Sequence, residues 1–158
     1  LAARHPDLVG RLVLVAGWTH SQDPRVRLGM EVWARLLDLD PGLSALHGPL
    51  VAFSPAFLSG LGHDGLAQLA KAKPAPGTRD QIDLNLRVDI RDQLPRITAP
   101  TLVIGCTLDH LVPVHHARSL HQAIPHSRYA ELDSGHVVFL ERPAELVAII
   151  GEFLAERR

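Results

Sequence analysis

The stretches TLVIGCTLDHLVP, residues 101–113, and SRYAELDSGH, residues 127–136, decide how the rest of the chain is interpreted. Each contains a short apolar run typical of a buried strand, and each run is followed by a side chain that can take part in proton transfer. Asp109 follows the first run and His136 follows the second. Because a carboxylate that holds a histidine makes that histidine a usable general base, the two residues predict a catalytic pair.

A third apolar run, RLVLVA at residues 11–16, also has the length and the branched side chains of a buried strand. The other two strands are predicted at residues 101–104, with Gly105 opening a loop, and at residues 128–132. Helical patterns separate the strands, which predicts a parallel sheet with helices on its faces. In such a sheet the ligand lies beyond the carboxyl ends of the strands, and the predicted pair falls there.

Two helical patterns belong to the second half of the chain. One runs between Pro113 and Pro125, and the other begins at Pro143 and continues to the C-terminus. Apolar residues of the final pattern match the i, i+3, i+4, i+7, i+8 template of one helix face: Leu146, Ile149, Ile150, Phe153 and Leu154.

The stretch from residue 19 to residue 92 has a different character, with helical patterns broken by proline and glycine. Asp23 and Pro24 predict a helix start, as the cap and the first-turn residue. An apolar stripe follows on one face of this helix: Val26, Met30, Trp33 and Leu37. A second stripe, formed by Leu28, Val32 and Leu36, predicts that the helix is covered from two directions. A later pattern at residues 79–94 predicts one continuous helix. The short pieces indicate a small helical insertion and not an independent domain.

Composition and charge limit the class of protein. A chain of 158 residues with 46% hydrophobic residues is long enough for one ordinary domain with a core. The net charge of −1, from 16 basic and 17 acidic residues, predicts no nucleic-acid or membrane partner. The single cysteine excludes an internal disulfide framework. With no apolar run long enough for a membrane span, we expect a soluble, cytoplasmic protein that binds a small ligand.

These residues resemble the C-terminal half of an α/β-hydrolase. One matching piece is APTLVIGCTLDHLVP, in which the acid comes four residues after the glycine of the strand. Another is SRYAELDSGHVVFLERPAE, in which the histidine follows the last strand and Glu-Arg-Pro opens the closing helix. LAARHPDLVGRLVLVAG looks like the stretch that follows the nucleophile elbow. The resemblance implies a hydrolase core of residues 1–18 and 93–158, with residues 19–92 as a helical cap.

The resemblance also implies a mechanism. Asp109 would orient His136 and stabilise its protonated form, and His136 would take a proton from the nucleophile or from water. The implied enzyme is a hydrolase of an ester, a thioester or a related acyl compound, without a cofactor. Trp18, Leu111 and Val137 are predicted to line the substrate pocket.

No nucleophile is predicted among the 158 residues, since they contain no G-x-S-x-G. Residues 1–6, LAARHP, are typical of the end of a helix, so we expect the serine about ten residues before Leu1 in a longer protein. Ser134 is too close to His136 in sequence for attack geometry, and Cys106 has the position of a small buried hydrophobe. The chain alone is therefore expected to be inactive.

A partner is predicted for the strand at residues 11–16. Its outer edge is expected to pair with the N-terminal half of the same protein or with another chain, because an apolar strand edge left open recruits a further strand.

Other functions stay open at this point. An aspartate nucleophile would make the protein a dehalogenase or an epoxide hydrolase, although epoxide opening typically uses cap tyrosines and the only tyrosine, Tyr129, lies in the last predicted strand. A non-catalytic fragment or a ligand-binding pseudo-enzyme is the alternative from another class.

No metal site is predicted, although five histidines crowd near the catalytic pair: His110, His115, His116, His121 and His126. None of them belongs to an HExxH pattern. His115 and His116 are expected to point to different sides of a helix.

Overall fold

A three-stranded parallel sheet forms the centre of the computed structural model, which describes residues 1–156. Its strands are β1 (Leu12–Val15), β2 (Thr101–Cys106) and β3 (Arg128–Leu132), and β2 lies in the middle. Leu12 lies opposite Thr101, and Leu102 lies opposite Arg128. The predicted parallel sheet is confirmed.

The second strand is longer than predicted, since Gly105 is part of β2 and does not open a loop. It lies opposite Glu131 in β3. A β-carbon at this position would lie 2.7 Å from the Tyr129 hydroxyl and 3.2 Å from Ala117. The glycine therefore lets neighbouring side chains approach the strand closely and does not mark a turn.

Helices connect and flank the strands. Four lie between β1 and β2: α1 (Pro24–Leu39), α2 (Pro41–Ala52), α3 (Pro55–Leu69) and α4 (Thr78–Asn85). Three more follow β2: α5 (His115–Ala123) before β3, and α6 (Val138–Glu141) and α7 (Pro143–Ala155) after it. Short 3₁₀ helices occupy Pro6–Leu8 and Arg91–Arg96. None of the helices within residues 1–156 is long and apolar enough to cross a membrane.

The two faces of the sheet pack against different helices. On one face, Ile104 and Cys106 of β2 belong to a buried cluster with Leu146 and Phe153 of α7. On the other face, Val103 belongs to a cluster with three residues of α5 and its C-terminal end: Ala117, Leu120 and Ile124. All residues of β2 are buried, and their side chains alternate between the two faces. Because helices pack on both faces, the path of β2 is fixed, and with it the start of the loop that contains Asp109.

The first helix begins where the sequence predicts. The carboxylate of Asp23 accepts hydrogen bonds from the backbone N–H groups of Arg25 and Val26. The first apolar stripe is confirmed in part by a small core that holds the helices together: Val26, Met30, Ala34 and Ile82. The second stripe is not covered, because Leu28 is 61% exposed. The expectation that α1 is covered from two directions is wrong in the part of the chain that the structure describes.

The continuous helix predicted at residues 79–94 is also wrong, because α4 ends at Asn85. The following backbone pairs with the segment after β1: the N–H of Ser21 donates to the carbonyl of Val88, and the N–H of Ile90 donates to the carbonyl of Thr19. These groups cannot serve a helix at the same time, so the tertiary pairing outweighs the helical pattern.

Candidate active site

Asp109 and His136 lie in the loops that follow β2 and β3, and the structure brings them together. Nδ1 of His136 lies 2.8 Å from Oδ2 of Asp109, which is a hydrogen-bond distance. The Asp109 side chain is fully buried, whereas the His136 side chain is 29% exposed. The imidazole thus has one nitrogen bonded to a buried carboxylate, and the ring is partly exposed to solvent.

The other oxygen of Asp109 is bound by its own loop. Oδ1 accepts hydrogen bonds from the backbone N–H of Leu111 at 2.8 Å and of Val112 at 2.7 Å. The carboxylate therefore keeps a single orientation, with Oδ2 directed to the histidine. Asp109 therefore has two roles: one oxygen stabilises the turn of its own loop, and the other orients the histidine.

The two loops are joined directly. The N–H of Thr107 donates to the carbonyl of Leu132, and the N–H of Leu108 donates to the carbonyl of Ser134, both at 3.0 Å. The Thr107 hydroxyl lies 2.7 Å from a carboxylate oxygen of Asp133. These bonds extend the pairing of β2 with β3 into the loops, so the Asp109–His136 distance is set by the sheet.

The histidine loop is attached to the junction of α2 and α3 through Glu141. One oxygen of Glu141 accepts from the N–H groups of Ser54, at 2.9 Å, and Gly135, at 3.1 Å, and the other accepts from the Ser54 hydroxyl. The N–H of Val137 donates to the carbonyl of Ala52 at 3.2 Å. A β-carbon on Gly135 would lie 2.6 Å from the backbone nitrogen of Ser54, so a glycine is required before His136.

Sequence reasoning did not find the role of Glu141 or of Ser54. Ser54 before Pro55 is a recognisable helix cap, and its hydroxyl does accept from the N–H of Phe57. Glu141 precedes the proline that opens the last helix. Nothing in the sequence links two residues that are 87 positions apart.

The three predicted pocket residues lie in different places. Leu111 lines a groove of about 320 Å³ together with Trp33 of α1 and Val51 of α2. Trp18 lines another groove, of about 440 Å³, beside β1, and its indole N–H is buried without a hydrogen-bond partner. Val137 contributes its backbone N–H to the contact with α2 described above.

The two alternative nucleophiles are both buried. Ser134 is fully buried and its hydroxyl donates to the carbonyl of Gly135. Cys106 is 1% exposed, and burial raises the pKa of its thiol, against the smaller effect of a hydrogen bond with Ser134. A thiol in this environment stays protonated and inaccessible.

Tyr129 also lies away from the pair. Its hydroxyl donates to Glu131 at 2.6 Å. Burial and, next, the hydrogen bond with Glu131 raise the pKa of Tyr129 to about 12. The residue packs with the cluster on the α5 side of the sheet.

His115 and His116 do not diverge as expected. Their Nε2 atoms lie 3.2 Å and 3.5 Å from the same oxygen, Oδ2 of Asp23. Both residues lie at the start of α5, where their side chains reach the N-terminus of α1, and their ring centroids are 4.2 Å apart. The expectation that the two histidines point to different sides of a helix is therefore wrong, and these three side chains form a group that could hold a metal ion.

Comparison with known proteins gives a consistent picture. The model of the alpha/beta hydrolase fold family matches residues 1–143. A pyrrolizixenacetamide deacetylase of Xenorhabdus hominickii is 35% identical over 158 residues, which cover 98% of this chain and 59% of the deacetylase. The structure of an enol-lactonase from Burkholderia xenovorans superposes with a TM-score of 0.81 at 28% identity, over 99% of this chain and 60% of the lactonase. The structure of a bromoperoxidase from Bacillus anthracis has a TM-score of 0.78 at 20% identity, over 98% and 63%, and shows the fold alone. The chain thus spans about 60% of the length of these relatives.

Proposed function

The chain belongs to the alpha/beta hydrolase fold family, and from this premise we propose that it carries the acid and the base of a hydrolase that cleaves an ester, a thioester or a related acyl substrate. The catalytic machinery of such an enzyme is a Ser-Asp-His triad. Asp109 is the acid and His136 is the base. No cofactor takes part in the reaction.

The observation that carries the proposal is the hydrogen bond between the buried carboxylate of Asp109 and the partly exposed imidazole of His136. With Nδ1–H donating to Oδ2 of Asp109 at 2.8 Å, the lone pair of His136 resides on Nε2. Nε2 can take the proton of a serine hydroxyl during attack and return it to the leaving group. The buried charge of Asp109 stabilises the imidazolium that forms in between.

The serine is supplied by a segment outside residues 1–158. Two features of β1 support this part of the proposal. Among residues 1–156, β1 pairs only with β2. The groove along its free side is lined by Leu12 and Leu14 and contains the unpaired indole N–H of Trp18. A strand that ends in the nucleophile would cover these groups, and residues 1–158 without it would be inactive.

Residues 19–92 act as the cap, and an apolar acyl or alkyl group binds beneath it. The small core of α1 and α4 packs against Leu111, two residues after the catalytic acid. A second groove of about 310 Å³ lies at the same place and is lined by Trp33, Phe53 and Leu111. The names of two relatives, a deacetylase and an enol-lactonase, support acyl transfer as the reaction class.

A fluorophosphonate probe tests the proposal, because it reacts only with a serine activated by a working base. The full-length protein is expected to be labelled on one serine outside residues 1–158, and a polypeptide of residues 1–158 is expected to remain unlabelled. Labelling within residues 1–158, or no labelling of an intact protein that does hydrolyse esters, would contradict the proposed triad.

A further inference from the structure

A second polar cluster connects the cap to the core where the N-terminus of α1 meets the start of α5. Its members are Asp23, His115 and His116, and their nearest nitrogen and oxygen atoms all lie within 4.8 Å of one another. Asp23 and His115 are 92 positions apart in sequence. The cluster therefore arises only when the cap lies on the core.

The spacing of the donor atoms matches a tetrahedral zinc site. Zinc binds imidazole nitrogen and carboxylate oxygen at about 2.0–2.2 Å, so two ligands of one tetrahedral ion lie about 3.3 Å apart. Oδ2 of Asp23 lies 3.2 Å from Nε2 of His115 and 3.5 Å from Nε2 of His116. Both of these distances are close to the spacing of two ligands on one tetrahedral ion, and all three atoms lie within 4.8 Å of one another.

The carboxylate is already oriented for a ligand. Oδ1 of Asp23 accepts the N–H groups of Arg25 and Val26, both at 2.9 Å, as the cap of α1. This leaves Oδ2 for the two histidines. Burial works against ionisation, but the hydrogen bonds from Val26 and from His115 lower the pKa of Asp23 below its ordinary value, so the oxygen is anionic at neutral pH.

One nitrogen atom of the cluster is left free to bind a metal ion. His116 is 3% exposed, and its Nε2 is buried without a hydrogen-bond partner among residues 1–156. Buried polar atoms are nearly always satisfied, so an orphaned ring nitrogen directed at a carboxylate calls for a further group.

The site also has an entrance. His115 has a side chain that is 56% exposed, whereas the side chain of Asp23 is 18% exposed. An ion can therefore reach the cluster from the solvent beside His115, and a water molecule can complete the fourth position. The ring of His20 lies further away, with its centroid 6.3 Å from that of His116.

We propose that Asp23, His115 and His116 form a zinc site that fastens the first cap helix to the core beside the catalytic acid. Two imidazoles and one carboxylate favour Zn²⁺ over Mg²⁺ or Ca²⁺, which take oxygen ligands. The bound ion links one residue of the proposed cap, Asp23, to two residues of the core, so it stabilises the packing of α1 against the start of α5. The role is structural, and the triad chemistry does not depend on it.

Cobalt titration of the full-length, metal-stripped protein tests the site, since four-coordinate Co²⁺ absorbs strongly in the visible range and Zn²⁺ displaces it. We expect one saturable equivalent, with affinity reduced by about 10-fold or more in His115→Ala and in Asp23→Asn. Both variants preserve the fold, because His115 is exposed and asparagine keeps the helix cap. His63→Ala, an exposed histidine of α3, serves as the matched control and is expected to bind as the unmodified protein does.

Thermal unfolding with and without Zn²⁺ gives an independent readout. Added Zn²⁺ is expected to raise the Tm of the unmodified protein and of His63→Ala but not that of Asp23→Asn. The proposal is overturned if no saturable Co²⁺ binding occurs, or if His115→Ala and Asp23→Asn bind Co²⁺ as tightly as the control. In either case the cluster is only a set of polar contacts between Asp23 and the two histidines.

Discussion

The two oxygens of Asp109 have separate partners, and this separation is the basis of the site. Oδ1 is held by the N–H groups of Leu111 and Val112, and Oδ2 is bonded to His136. Because both oxygens are bonded, the carboxylate cannot rotate. A carboxylate exposed to solvent would not keep this orientation. In the proposed triad, the contribution of Asp109 to catalysis is orientation and charge.

The substitution Asp109→Asn separates these two contributions. Asparagine can keep the loop geometry but favours the wrong tautomer of His136, so kcat for ester hydrolysis by the full-length protein is expected to fall by about 10³–10⁴-fold. Asp64→Asn, at an exposed position of α3, is the matched control and should retain the rate. A loss of less than tenfold in Asp109→Asn would mean that the carboxylate does not orient a catalytic base.

Tyr129 gives a test at high pH that is independent of catalysis. The pKa of its hydroxyl is raised from 10.0 to about 12, first by burial and then by Glu131. Between these two pH values the folded protein keeps a proton that the unfolded chain has lost. The stabilisation is therefore complete below pH 10 and is lost as the pH rises towards 12.

The difference in phenolate absorbance between the unmodified protein and Tyr129→Phe isolates this titration, with circular dichroism recorded alongside. A midpoint near pH 12 is expected, and Glu131→Gln should move the midpoint down. An unshifted midpoint near pH 10 in the folded protein would show that the environment of Tyr129 is described wrongly.

At the level of residues, the sequence predicts what depends on local pattern. Asp109 and His136 each follow a strand closely, so their meeting follows from the geometry of parallel strands alone. The contacts of Ser54 with Glu141 and of Asp23 with His115 span 87 and 92 positions, and they depend on how the cap lies on the core. No local signal in the sequence contains that information.

At the level of elements, the histidine loop depends on a helix junction as much as on β3. Glu141 accepts three hydrogen bonds, two from Ser54 and one from Gly135, and so connects the loop to the start of α3. The start of α3 is thus bonded to the residue that precedes His136. A shift of α3 would be transmitted to His136 through this connection.

The substitution Glu141→Ala is expected to lower both stability and rate. It leaves the N–H groups of Ser54 and Gly135 without an acceptor, which costs about 1–3 kcal/mol in the free energy of unfolding. Because the loop then loses its attachment, kcat should fall more than KM changes. Urea unfolding and ester kinetics of the full-length protein measure the two effects.

Glu145→Ala is the control for this substitution, since Glu145 forms an exposed ion pair with Arg142 at 3.3 Å. It should change stability by less than about 0.5 kcal/mol. Equal behaviour of Glu141→Ala and Glu145→Ala would refute a positioning role for Glu141.

The elements themselves were largely predictable, and the exceptions have physical causes. β3 and the start of α7 at Pro143 are where the pattern predicts them. The pattern at residues 79–94 fails because its backbone pairs with the segment after β1. Gly105 was misinterpreted because a glycine needed for close packing in a strand and a glycine that ends a strand look the same in a sequence.

At the level of the whole molecule, β1 is one of the two edge strands of the sheet formed within residues 1–156. Val15 is 36% exposed, and a groove of about 440 Å³ runs beside the strand. An apolar edge of this kind pairs with another strand when one is available. The family resemblance predicts a further strand at this edge, and both the strand and its identity stay predictions.

A polypeptide of residues 1–158 produced alone is expected to self-associate through β1. Light scattering should detect oligomers, and Val15→Lys, which places a charge at the exposed end of the strand, should reduce them. Co-expression with the segment that carries the serine should give a single complex instead. A monodisperse monomer of residues 1–158 would contradict the proposed pairing.

The central claim is that His136, held by Asp109, is the base of an acyl hydrolase, and the rate of ester hydrolysis by His136→Ala in the full-length protein tests it most directly. With His63→Ala as the control, the account predicts that kcat/KM of His136→Ala falls by at least about 10⁴-fold while the fluorophosphonate label is lost. Ester turnover by His136→Ala at the rate of the unmodified protein would contradict it.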